Sequence, residues 1–184
     1  MKKINYEEAL KSWGFYPRHY QKTLKELKLS HNVLSFIHNY IENYSSHCRG
    51  IVFEGSPRKS HYVMAYIVRE LLIRNKLKNR VSIIDIPTHL SVNNKLDPSE
   101  RTEVITKSIE DVVNSDIVIF QEMGLGKWKD YQRAELYTLI YKRYQLEKPF
   151  FCTSTVDEKI LEEYVGESIF FRLVDSCDFI GLGI

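Results

Sequence analysis

The stretch Ile51-Val-Phe-Glu-Gly-Ser-Pro-Arg-Lys-Ser-His61 carries the residue types that act on phosphate: a glycine, two adjacent cations and a hydroxyl, directly after an apolar run. A phosphate-cradling loop needs a strand, a glycine turn and a helix start in that order. The turn aims backbone N–H groups and a helix N-terminus at phosphate oxygens, while a Lys and a Ser or Thr address the terminal phosphates and magnesium. Gly55, Lys59 and Ser60 match the two ends of the pattern G-x-x-x-x-G-K-[ST]. The middle departs from it. Only Ser56-Pro57-Arg58 separate Gly55 from Lys59, so two residues are missing, and Arg58 stands where the second glycine belongs. Pro57 brings no N–H, and Arg58 places a side chain where backbone would approach phosphate. Two readings stay open: a shortened phosphate site made of Gly55, Arg58, Lys59 and Ser60, or a basic turn that caps a helix.

A second candidate is Asp116-Ile-Val-Ile-Phe-Gln-Glu-Met-Gly124, an apolar run ending in two polar residues. In phosphate-loop NTPases such a strand end supplies an acidic residue that holds magnesium, and a following Glu polarises the attacking water. Here Gln121 takes the first place and Glu122 the second. A neutral amide gives up the electrostatic hold on magnesium. Glu122 is equally a base or a solvated strand-end carboxylate. His31, His38, His47, His61 and His89 show no metal-ligand spacing, and His61 reads as a helix-start residue. Cys48, Cys152 and Cys177 are odd in number and contain no C-x-x-C pair, so they read as packing residues.

The elements that must position these groups follow from hydrophobic patterning. Gly50–Phe53, Val81–Asp85, Ile117–Phe120 and Phe150–Thr153 are short and rich in β-branched or aromatic residues, as strands buried on both faces tend to be. A weaker fifth strand spans Phe179–Leu182. Helical segments are predicted over about 30–45, 60–76, 99–114, 129–147 and 157–174. Strands alternating with helices make a layered α/β fold. Residues 1–30 read as a short helix followed by an extended lead-in, and residues 31–184 as the α/β unit of a single domain.

Composition narrows the classes without naming one. The 184 residues are 43% hydrophobic and 27% charged, with 8 Gly, 5 Pro and a net charge of +2. That is the profile of one globular domain, neither collagen-like, disordered nor disulfide-stapled. No apolar run approaches the roughly 18 residues that a membrane span needs, and no membrane partner is expected. The Met-Lys-Lys start leads into polar sequence, so a cytoplasmic protein is expected. A weakly basic balance permits nucleic-acid contact without demanding it.

With both candidate segments in order, the chain from about residue 14 onward resembles the AAA+ helicase-loader family, the DnaC/DnaI-like and IstB-like ATPases of bacteria and their mobile elements. Gly14-Phe-Tyr-Pro-Arg18 is similar to the family's "IP-x-R" lead, and Asn114–Gly124 to its "NADLLIIDDLG" stretch. Arg133–Tyr144 looks like "R-x-x-L-x-x-I-I-x-x-R-Y", Lys148–Thr155 like "KPTIITSN", and Leu161–Arg172 like "LEERLGERIASR". The resemblance implies a three-layer phosphate-loop NTPase core with a parallel five-stranded sheet and a truncated lid region. It places Thr155 at the position that senses the γ-phosphate, where the family has Asn. It places Arg172 at the arginine finger, which acts on nucleotide held by a neighbouring subunit; a surface cation pairing with Glu167 or Asp175 is the other reading.

The departures from the family all fall in the protein's own nucleotide pocket: the short loop, Gln121 and Thr155. They imply a degenerate subunit that binds ATP or ADP with magnesium weakly or not at all. Its expected role is docking on a replicative helicase, a helicase loader or another AAA+ subunit within a homo- or hetero-oligomer. Trp13, Arg18, Lys127 and Trp128 are the candidate contacts to such a partner or to single-stranded DNA. An exposed Trp128 would favour contact, and a buried one would remove it. The competing expectation is an active ATPase that loads helicase or assists transposition with Lys59, Ser60 and Glu122.

Overall fold

Five short runs rich in β-branched or aromatic residues pair into one all-parallel sheet in a computed structural model that describes residues 5–78, 80–93, 97–125 and 128–183. The strands are β1 (Gly50–Glu54), β2 (Val81–Asp85), β3 (Ile117–Gln121), β4 (Phe150–Ser154) and β5 (Cys177–Gly181), in the spatial order β2-β3-β4-β1-β5. Register is set by pairs such as Val52 with Cys152, Val52 with Phe179 and Ile119 with Phe151.

Alternation along each strand feeds two separate cores. On one face Ile51, Phe53, Ile117, Ile119 and Phe151 pack under α4 (Pro57–Ile73), whose Val63, Met64, Ile67 and Leu71 are fully buried. On the other face Val52, Val118, Phe120, Phe150 and Cys152 pack under Leu136, Leu139 and Ile140 of α7 (Asp130–Gln145). Leu161 and Leu173, from the helix pair α8 (Glu158–Val165) and α9 (Glu167–Ser176), complete that layer. The result is a three-layer α/β fold. The crossover from β1 passes over one face, and those between β2 and β5 pass over the other. The direction reverses beside β1, so the crevice outside the C-terminal ends of β1, β3 and β4 is where a ligand site forms in open sheets of this kind.

Several expected elements differ. Residues 5–30 open with the expected short helix, but the rest of them do not run extended. They form α1 (Tyr6–Ser12), α2 (Pro17–Tyr20) and a 3₁₀ turn (Leu24–Leu27), followed by α3 (His31–Asn43). Leu10, Phe15, Tyr20, Leu24 and Leu27 are buried in the same core as α4. Two helices lie between β2 and β3: the short α5 (Ile86–Asn93), which patterning did not predict, and the longer α6 (Pro98–Asn114), which it did. The helix expected over 157–174 is two helices, because Gly166 at φ +86° and ψ 154° breaks it. β5 starts two residues earlier than predicted, at Cys177. Among the described residues no helix is long and apolar enough to cross a membrane.

Candidate functional site

The loop between β1 and α4 is shaped by two residues. Gly55 adopts φ +106°, and Ser56 caps α4, its Oγ accepting the Lys59 N–H at 3.4 Å. Pro57 occupies the first helical turn, where its missing N–H costs nothing. The remaining donors turn back on the same chain. Gly55 N–H donates to the Ser154 carbonyl at 2.9 Å, and Ser56 N–H to the Gly183 carbonyl at 3.3 Å. Lys59 Nζ donates to the Leu182 carbonyl at 3.2 Å. Ser60 is fully buried, and its hydroxyl donates to the Ser56 carbonyl at 3.0 Å. Arg58 is exposed, with its guanidinium 5.9 Å from the Tyr62 ring centroid.

The strand ends beside this loop gather titratable groups. Glu122 follows β3 at φ +63°, a strained backbone for a side chain of that size. It is held there by its N–H bond to Thr153 Oγ1 at 2.9 Å, and Met123 N–H reaches the Thr153 carbonyl at 2.9 Å. Glu122 Oε1 lies 3.7 Å from His61 Nε2. Burial pushes the Glu122 carboxyl up, with Asp85 adding in the same direction. Burial pulls the His61 imidazole down, opposed by Asp85 and assisted by Arg18. His19, from α2, faces the His61 ring at a centroid distance of 5.4 Å. Its pKa is lowered to about 4 by burial, then by His61 and Arg18. Glu122 is therefore a partly desolvated carboxylate beside a neutral imidazole, an arrangement able to accept a proton from water. Gln121 closes β3 half-buried next to it.

The remaining expected residues fall elsewhere. Thr155 is exposed just past β4. The hydroxyl that braces Glu122 belongs to Thr153 instead. Arg172 pairs with neither Glu167 nor Asp175. Its guanidinium lies over the rings of Tyr137, Tyr141 and Tyr144 at 4.7, 4.9 and 5.6 Å, and it donates to Tyr137 Oη at 2.9 Å and to the Ser168 carbonyl at 2.5 Å. A cavity of about 540 Å³ opens beside it, lined in part by Phe170, Phe171 and Val174. Trp128 is only 8% exposed, and its indole N–H donates to the Leu125 carbonyl at 3.1 Å. The expectation that Trp128 contacts a partner is corrected: its ring fills the core under α7. Trp13 is partly buried against the core around α4. Arg18 is exposed, stacked 5.3 Å from the Tyr16 ring centroid. Lys127 lies outside the described residues.

Patterning missed Asp85, Thr153 and the Leu182–Gly183 backbone as parts of this site. Asp85 and Thr153 sit at predicted strand ends and were accessible to the rule that sites gather there. The carbonyls of Leu182 and Gly183 left no mark in side-chain types.

No family model and no curated protein matches this sequence. Solved structures do match in fold. The DnaC helicase loader aligns at TM-score 0.71 and 18% identity, over 91% of this chain and 99% of the loader structure. DnaI aligns at TM-score 0.69 and 18% identity, over 92% of this chain and 93% of that one. The AMPPCP-bound DnaA from Aquifex aeolicus aligns at TM-score 0.70 and 16% identity, over 92% of this chain and 51% of DnaA. At such identities the likeness establishes the fold. The chain is a parallel five-stranded α/β domain that shares its fold with these DnaC, DnaI and DnaA structures.

Proposed function

We propose that this chain is a degenerate AAA+ subunit of a DNA-replication assembly, which docks on a replicative helicase, a helicase loader or another AAA+ subunit and turns over little or no ATP. The observation that carries the reading is the state of the magnesium position. Ser60, the expected hydroxyl ligand, is fully buried, so its oxygen is closed off from a metal in the crevice. Gln121, at the expected carboxylate, is neutral. That donor set does not fit magnesium. Loss of a single catalytic group commonly costs about a hundredfold or more in rate, and here the loop length, the metal position and the sensor position depart together.

The replication assignment draws on the fold shared with DnaC, DnaI and DnaA. The docking role draws on exposed apolar side chains on the α8–α9 pair, where Phe171 is 60% exposed and Arg172 stands beside the 540 Å³ cavity. Tyr16 and Arg18 form a second exposed edge, suited to a protein partner or to the stacked bases of single-stranded DNA.

Two measurements test the proposal. Phosphate release in ATP with magnesium is expected to equal that of Lys59→Ala. Size-exclusion chromatography with a purified replicative helicase or its loader is expected to show co-elution. Robust magnesium-dependent turnover abolished by Lys59→Ala would establish the active loader or transposition-helper ATPase instead.

A further inference from the structure

The loop after β1 is a place for negative oxygens, and the oxygens that stand against it are the chain's own. Past β5, the Leu182 N–H donates to the Glu54 carbonyl at 2.9 Å, carrying the pairing with β1 one step beyond the strand. Gly183 then turns at φ +66° and offers its carbonyl to the Ser56 N–H, while Lys59 Nζ takes the Leu182 carbonyl. The two backbones meet closely. A Cβ built on Gly55 would lie 3.0 Å from the Gly183 oxygen, so a glycine at 55 is what permits the contact. A carbonyl oxygen carries a partial negative charge, and paired carbonyls at a lysine and an amide are a weaker version of a phosphate in the same place.

We propose that Leu182–Gly183 is a built-in competitor of the phosphate loop, which any polyphosphate must displace before it can reach Lys59 and the Ser56 N–H. The proposal deepens the reading of a weak, non-catalytic pocket and rests on it. A ligand that binds only the displaced form has its apparent affinity reduced by the fraction of molecules in that form. The site is then gated by backbone in addition to its side-chain departures, and displacement would free the end of the edge strand β5.

The test is calorimetric titration of ATP, with and without magnesium, into the full chain and into Gly183→Pro. Proline fixes φ near −65° and cannot hold the +66° turn. ATP is expected to bind Gly183→Pro at least about tenfold more tightly than the unaltered chain. The gain should disappear in the double variant with Lys59→Ala, and hydrogen exchange at the Ser56 amide should quicken in Gly183→Pro. A chain ended after Gly181 is the second variant, read by the same measurements where Gly183→Pro does not fold. Equal ATP affinity in the unaltered and altered chains overturns the proposal, as does a Ser56 amide equally protected in both. Magnesium-dependent turnover by the unaltered chain would sink the degenerate-subunit reading instead, so the two failures are told apart.

Discussion

Among the described residues Arg143 is the largest fully buried side chain, and nothing in its position within a helix marks it as such. Its guanidinium donates to the carbonyls of Val112, Ser115, Asp116 and Pro149, tying the end of α6 and the starts of β3 and β4 to α7. Burial pulls its pKa down to about 10, which still leaves it charged at neutral pH. Arg143→Met keeps much of the volume and strands several buried acceptors, so it is expected to cost about 3–5 kcal/mol, read as a lowered urea midpoint. An unchanged midpoint would mean that water satisfies those carbonyls. His19 gives a pH dependence. Folded, it titrates at about 4, against an ordinary 6.5. The unfolded chain binds more protons between those values, so its contribution to stability is present above about pH 6.5 and is lost as pH falls towards 4. His61 acts in the same direction, while Glu122, with a raised pKa, opposes it at lower pH. His19→Gln should therefore flatten the slope of unfolding free energy between pH 7 and 5, and an unaltered slope would show that His19 is solvated in the native state.

At the scale of elements, the five strands were legible because each is a brief apolar run bounded by polar residues, the pattern that burial on both faces imposes. Their spatial order was not legible from patterning, because nothing local in a run distinguishes an edge strand from a central one. The break between α8 and α9 was hidden by continuous periodicity: Leu161, Val165, Ile169 and Leu173 are all buried on one side. Only the conformation of Gly166, at φ +86° with ψ 154°, ends the first helix there. That region of backbone space is costly for residues with a Cβ, yet nothing lies within 4 Å of a Cβ added at Gly166. Gly166→Ala should then cost only strain, about 1–3 kcal/mol. Gly50 is the opposite case, since its added Cβ would stand 2.2 Å from the Phe150 oxygen and 2.8 Å from Cys177 Sγ, forcing β1 away from its neighbours. Gly50→Ala is expected to lower the thermal midpoint by more than Gly166→Ala. The reverse order would place the energetic weak point at the helix break.

For the whole molecule, the decisive feature is how residues 5–30 join the rest. Sequence patterning placed them outside the α/β unit, since α1, α2 and the 3₁₀ turn are each too short to show a period. In the fold they cap one face: Leu10, Phe15, Tyr20, Leu24 and Leu27 are buried with Tyr62 and Leu72 of α4, and Arg69 of α4 donates to the Tyr20 carbonyl at 2.6 Å. Burying one large apolar side chain is worth about 1.5–3 kcal/mol, so five of them are comparable with the whole stability of a domain, about 5–15 kcal/mol. Removing them also exposes the apolar face of α4 and leaves Arg69 without that acceptor. A chain beginning at residue 31 is therefore expected to lose cooperative unfolding, with circular dichroism showing a broad, shallow melt and protease cutting it throughout. The same face brings His19 and Arg18 against His61, so its loss would also strip one wall from the candidate site. A sharp transition at the full chain's midpoint would show instead that the α/β layers stand alone and that these thirty residues are an appendage.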